Sequence, residues 1–262
     1  MTRNLIPLVA ALALAACTAQ PVRNPLAEWV PSPNFDARKP VAIVIHATEQ
    51  RSAEESLRTL RSANSGGRVS SHYLIGDDGR LYQLVEDGAR AWHAGAGRWG
   101  TLVDLNSTSI GIEIDNERGE PYTEAQLVTL LQLLDDLTAR FSIPRTQVIA
   151  HADMAPTRKV DPGPLFPWKR LADAGFGLWP RGELQEPQAG FDPWLAMALI
   201  GYPLDDRAAA VRAFQRHYRG HEPGDDPDAR FSAEDLRILH ALQQLKMPLS
   251  LAVPGSAGAA RQ

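Results

Sequence analysis

Four polar residues stand at or near the ends of apolar runs, and their types suit hydrolytic chemistry. His46 closes Val41-Ala42-Ile43-Val44-Ile45, Glu113 sits inside Ser109 to Asp115, and His151 follows Gln147 to Ala150. Asp161 comes ten residues later, in Lys159-Val160-Asp161-Pro162-Gly163-Pro164. Two imidazoles and one carboxylate form a plausible three-ligand zinc set, with the fourth position left for water. Such a metal brings the pKa of water to about 7. Glu113 then has the chemistry of a general base, and Lys159 that of a partner for a developing oxyanion. The same residues also admit plain structural roles. A strand-end histidine can simply satisfy hydrogen bonds, Glu113 can pair with a neighbouring cation, and Lys159 can be a solvated surface charge.

Elements that could bring these positions together are legible. Val41 to Ile45 is β-branched and continuous, as a strand buried on both faces should be. Ser52-Ala53-Glu54-Glu55 is a capping-box pattern and predicts a helix to about Ser62. Ser71 to Ile75 and Arg80 to Val85 read as strands around the turn Gly76-Asp77-Asp78-Gly79. Ser109 to Asp115 alternates, with Ile110, Ile112 and Ile114 on one face and Glu113 on the other. Thr123 and Gln126 form a second capping box, followed by Leu127, Leu130, Leu131, Leu134 and Leu137 at helical spacing. Strands alternating with helices predict an α/β fold with a mixed central sheet flanked by helices. In such sheets, sites gather at the carboxyl ends of strands. Pro162 favours an extended backbone at Asp161, which would turn Lys159 and Asp161 the same way.

The chain has 262 residues, 44% hydrophobic and 22% charged, with a formal charge of −4. This composition excludes a disordered chain, a coiled coil and a multispan membrane protein. The mildly acidic balance excludes a nucleic-acid partner, which needs a basic face. A single cysteine excludes an intrachain disulfide. Leu5 to Ala16 is apolar but too short to span a bilayer. It ends in Leu14-Ala15-Ala16-Cys17, which resembles a bacterial lipobox. The expected organisation is therefore a signal peptide over 1–16, lipidation of Cys17, and a tether and lead-in arm over 17–40. A catalytic domain over 41–179 follows, then a linker over 180–190. A small three-helix domain over 191–250 starts at Asp192, Asp205 or Asp206, and Ser232, and is large enough to fold alone. Residues 251–262 read as a disordered tail.

Several segments together resemble one family. They are Ser32 to Arg38, Ile43 to Thr48, Val69 to Ile75, Trp92-His93-Ala94-Gly95, Asn106 to Glu113, His151-Ala152-Asp153 and Lys159 to Gly163. In order and spacing they resemble the zinc N-acetylmuramoyl-L-alanine amidases of the amidase-2 class, whose fold is shared with peptidoglycan recognition proteins. The resemblance implies zinc held by His46, His151 and Asp161, Glu113 as general base, and Lys159 as oxyanion stabiliser. It implies cleavage of the amide between N-acetylmuramic acid, or its anhydro form, and L-alanine in peptidoglycan or muropeptides.

The chain departs from the phage-lysozyme and recognition-protein branch. Asp161 stands where that branch often has cysteine, Ser71 where it has a catalytic tyrosine, and Glu113 is absent there. The pattern is that of the lipoprotein and muropeptide-recycling branch. Trp92, His93 and Asn106 are candidate substrate contacts, and His72 is assigned a structural role. Ile200-Gly201-Tyr202-Pro203 and Ala213 to Tyr218 resemble a small peptidoglycan-binding module, with a packing appendage as the alternative. A lipid anchor at Cys17 on an outer-membrane monomer facing the periplasm completes the expectation. A noncatalytic recognition protein would lack one of the three ligands, and a cytosolic enzyme would lack the export signal.

Overall fold

The computed structural model describes residues 23–37, 40–64 and 67–247. The predicted signal segment, Cys17 and the tail after Val253 lie outside the described residues.

A six-stranded mixed sheet forms the centre of the fold. Its strands are β1 (Glu28–Trp29), β2 (Ala42–Ala47), β3 (Tyr73–Ile75), β4 (Leu81–Gln83), β5 (Ser109–Ile114) and β6 (Val148–Ala150). The spatial order is β1-β4-β3-β5-β2-β6. Only β3 and β4 pair antiparallel, joined across the predicted Gly76–Gly79 turn; all other pairings are parallel. The carboxyl ends of β5, β2 and β6 therefore lie side by side.

Among the helices of the first part of the chain, α1 (Ala53–Leu60), α2 (Glu124–Phe141) and the one-turn α3 (His151–Met154) pack against the sheet; short helices at Leu105–Thr108 and Trp168–Asp173 complete this part. Both predicted N-caps form, and the second is a full capping box. Ser52 accepts from Glu55 N, and Thr123 and Gln126 cap each other reciprocally. Leu127, Leu130, Leu133, Leu134 and Leu137 of α2 pack on Ile43, Ile45, Ile110, Ile112 and Ile114. The alternation read in β5 is real: its isoleucines face this layer, so Glu113 points to the opposite side.

Three helices follow in the second part: α4 (Pro193–Ile200), α5 (Arg207–Arg219) and α6 (Ala233–Lys246). Their N-caps are Asp192, Asp206 and Ser232. The buried face of α6 is Asp235, Ile238, Leu239 and Leu242. Leu245, in the last turn, is 44% exposed. These helices have no core separate from the sheet. Met197, Ile200, Phe214 and Leu242 share one apolar cluster with Val44 and Ile149 on the second sheet face.

The lead-in arm also differs from expectation. Glu28–Trp29 pairs parallel with β4 as an edge strand, and Phe35–Ala37 pairs antiparallel with Ala89–Ala91. Ribbons of two or three residues are too short to show a period of two. No helix among the described residues is long and apolar enough to cross a membrane.

Candidate metal and catalytic site

His46 is the fifth residue of β2 and Glu113 the fifth of β5, and the two are register partners. Successive strand residues alternate faces, so paired residues in parallel strands share a side of the sheet. His151 begins α3 directly after β6. Asp161 lies in a turn, and the Asp161–Pro162 peptide is cis. Its carbonyl accepts Ala152 N at 2.9 Å, which holds the turn against α3. Lys159 and Asp161 nonetheless line the same cavity.

His46, His151 and Asp161 bring one ligand atom each to a common point, and all three side chains are buried. His46 Nδ1 is 2.9 Å from His151 Nδ1 and 3.3 Å from Asp161 Oδ2. His151 Nδ1 is 3.0 Å from the same oxygen. Tetrahedral ligands about 2.0–2.1 Å from zinc stand about 3.3 Å from one another. The triangle fits that requirement.

The hydrogen bonds on the far side of each ring fix the tautomers. His151 Nε2 donates to Ala94 O at 3.0 Å, so in the neutral ring Nδ1 carries the lone pair. Ser109 Oγ donates to Leu105 O at 2.6 Å, so it accepts from His93 Nε2 at 3.5 Å. His93 Nδ1 then accepts from His46 Nε2 at 3.0 Å. Both His46 and His151 thus present Nδ1 lone pairs to each other at 2.9 Å. Two lone pairs beside a carboxylate repel one another, and a shared cation satisfies all three. Partners of this kind orient ligands at metal sites.

The electrostatics agree. Burial, then the nearby His151, push His46 down to about 4, so its imidazole is neutral near pH 7. Burial opposes ionisation of Asp161, but its contacts with His151 and then His46 outweigh it. Asp161 is held well below the usual carboxylate range. Glu113 is pushed up to about 8, first by burial and then by Asp161, while Lys159 acts in the opposite direction. Glu113 Oε2 is a buried oxygen with no hydrogen-bond partner. Lys159, Glu113 and the three ligand residues line one open cavity of about 180 Å³, walled on its far side by Gln50, Thr59 and Val69.

The expected substrate contacts fare differently. His93 does reach this cavity, but its Nδ1 is engaged by His46. Asn106 is buried, and its Oδ1 accepts from both His93 N and Ala94 N. It holds the turn that supplies the His93 ring and the Ala94 carbonyl. Trp92 is absent from the cavity wall; the Arg90 and Arg68 guanidiniums lie over its ring at 4.1 and 5.6 Å. His72 has the structural place assigned to it, between Gly111 N and Ala89 O. Ser109 and the Ala94 carbonyl had no distinguishing signal in the sequence. Asp153 stood in a quoted motif without a role.

The fold and this donor set define an α/β protein with a buried His-His-Asp cluster opening on a cavity at the carboxyl ends of its strands. Residues 36–164 match the family described as N-acetylmuramoyl-L-alanine amidase, Amidase_2. The chain is 35% identical to N-acetylmuramoyl-L-alanine amidase AmiD of Escherichia coli K12, over 73% of this chain and 79% of that one. It is 38% identical to 1,6-anhydro-N-acetylmuramyl-L-alanine amidase AmpD of Haemophilus influenzae, over 39% of this chain and 56% of that one. Among solved structures, E. coli AmiD bound to the substrate anhydro-N-acetylmuramic acid-L-Ala-D-γ-Glu-L-Lys superposes with a TM-score of 0.68. That match has 34% identity and covers 79% of this chain and 89% of that one. AmpDh3 of Pseudomonas aeruginosa with anhydromuramic pentapeptide gives a TM-score of 0.67 at 32% identity, over 80% and 93%. The chain belongs to the Amidase_2 family of N-acetylmuramoyl-L-alanine amidases.

Proposed function

We propose that the protein is a zinc amidase that hydrolyses the bond between the lactyl group of N-acetylmuramic acid, or its anhydro form, and the L-alanine of the stem peptide. The observation that carries this reading is the triangle of His46 Nδ1, His151 Nδ1 and Asp161 Oδ2 beside the unpartnered Glu113 carboxyl. His46, His151 and Asp161 would hold the metal. When bound there, zinc supplies Lewis acidity to the scissile carbonyl and lowers the pKa of water.

The remaining steps belong to the chain. Glu113 takes the proton of the attacking water and returns it to the leaving amine. Lys159 balances the negative charge that develops on the lactyl oxygen. Amine departure regenerates both groups, with no covalent bond to the protein. Full retention of the three-ligand set favours catalysis over recognition alone.

The anchoring part of the reading rests on sequence: Leu5 to Ala16 followed by Cys17 supports a lipid-anchored outer-membrane protein facing the periplasm. Mass spectrometry of products from defined muropeptides tests the activity. Stem peptides are released, chelation stops release, and zinc restores it. Full activity after metal removal would overturn the mechanism.

A further inference from the structure

Asp153 is 1% exposed and sits two residues beyond His151, within α3. A carboxylate so deeply buried needs several donors to offset its lost hydration. Its Oδ2 accepts Ala150 N at 2.9 Å and pairs with His217 Nδ1 at 2.7 Å. Its Oδ1 accepts the Tyr202 hydroxyl at 2.6 Å. Both side-chain donors come from the C-terminal helical segment.

The donors are themselves held firmly. The His217 ring stacks on Trp168 at 3.9 Å and 13°, and on Tyr218 at 4.3 Å and 18°. Tyr202 packs edge-on against Trp99 at 5.1 Å. Burial, then Asp153, push Tyr202 well above the usual phenol range, so the hydroxyl stays a donor. Gly100 N also donates to Gly201 O at 2.7 Å, joining the two parts of the chain beside this cluster.

A single-turn helix has little rigidity of its own. Metal ligands, however, must be aimed to within about 0.5 Å and 10–20°. We propose that the C-terminal helical segment is a positioning element of the catalytic centre. Tyr202 and His217 hold Asp153, and Asp153 holds α3 so that His151 Nδ1 faces His46 and Asp161. The inference rests on the zinc amidase reading. Tyr202 and His217 act through Asp153 and touch neither metal nor substrate.

The test uses the full chain with Tyr202→Phe and His217→Leu, singly and together. Zinc affinity is read by competition with a chromophoric chelator well below the melting temperature. The double variant binds zinc about tenfold or more weakly, within the range seen when support behind a ligand is lost. His217→Asn, which keeps an N–H near the Nδ1 position, recovers most of that loss. Leu242→Ala, in the same apolar cluster, lowers the melting temperature but leaves zinc affinity unchanged. Wild-type zinc affinity in the double variant would overturn the proposal, as would a loss reproduced by Leu242→Ala. If the double variant does not fold, Tyr202→Phe, which deletes one hydroxyl, gives the same reading. A wild-type chain that fails to bind zinc would instead remove the amidase reading, and this inference with it.

Discussion

His46 and Glu113 are register partners on adjacent parallel strands, so a neutral imidazole and a buried carboxyl project from the same side of the sheet. That single pairing places a candidate metal ligand beside a candidate proton acceptor without a loop having to deliver either. The division of labour between them leads to the first prediction. Glu113→Gln preserves side-chain volume and leaves His46, His151 and Asp161 untouched. Zinc content should match wild type, while turnover falls by about 10²- to 10⁴-fold, the usual contribution of a positioned acid–base group. Metal analysis beside stem-peptide release checks both halves. Wild-type turnover in Glu113→Gln would remove Glu113 from the proton path.

Glu113 also sets the expected pH dependence. A base must be deprotonated to act, so kcat/KM rises with pH through the pKa of Glu113 and is lost below it. Burial and Asp161 push this group up to about 8. A cation held by the adjacent ligands opposes both effects. The acid limb of the zinc-loaded enzyme should therefore fall below pH 8, and Glu113→Gln should flatten it. A limb of unchanged position and slope in that variant would assign it to another group.

His93 reads from the sequence as a substrate contact; the structure gives it a place behind His46. Its Nδ1 accepts from His46 Nε2, and Ser109 in turn supports its Nε2. His93→Ala should weaken zinc binding by about 10- to 100-fold. The Michaelis constant of zinc-saturated enzyme should move less than the zinc affinity does. Chelator competition and steady-state kinetics at excess zinc separate the two effects. Unchanged zinc affinity would return His93 to the role of substrate contact alone.

The contrast between these residues shows what the chain discloses on its own. His46, Glu113 and His151 were visible because each interrupts or ends an apolar run, and the sheet turns that periodicity directly into position. The N-cap at Ser52, the capping box at Thr123 and the caps at Asp192, Asp206 and Ser232 were visible because capping is local chemistry. Asn106 and His93 look alike in sequence, as polar residues near a strand. Only the three-dimensional path of the 92–95 turn shows that one clamps the turn and the other supports His46. The shared core between Val44 and Leu242 was hidden for the same reason. Helical periodicity says that a face is apolar, but not which surface covers it. The two-residue strand Glu28–Trp29 carries no period to detect.

Gly111 tests the relay behind His46 without removing any of its members. A Cβ placed there would stand 2.4 Å from His93 Cγ, 2.6 Å from its Nδ1 and 2.8 Å from its Cδ2. Gly111 lies in β5 and has no positive φ, so alanine has no backbone strain to absorb at this position. The cost is therefore the collision itself, and the ring must move away from β5. Its Nδ1 then leaves His46 Nε2, and zinc affinity falls in Gly111→Ala as it does in His93→Ala. The two effects share one cause, so they should not add. In Gly111→Ala/His93→Ala the smaller residue 93 leaves room for the new methyl, and zinc affinity should match that of His93→Ala alone. A double-mutant cycle measured by chelator competition gives the coupling directly. Additive losses would mean that Gly111 acts through the strand and not through the imidazole above it.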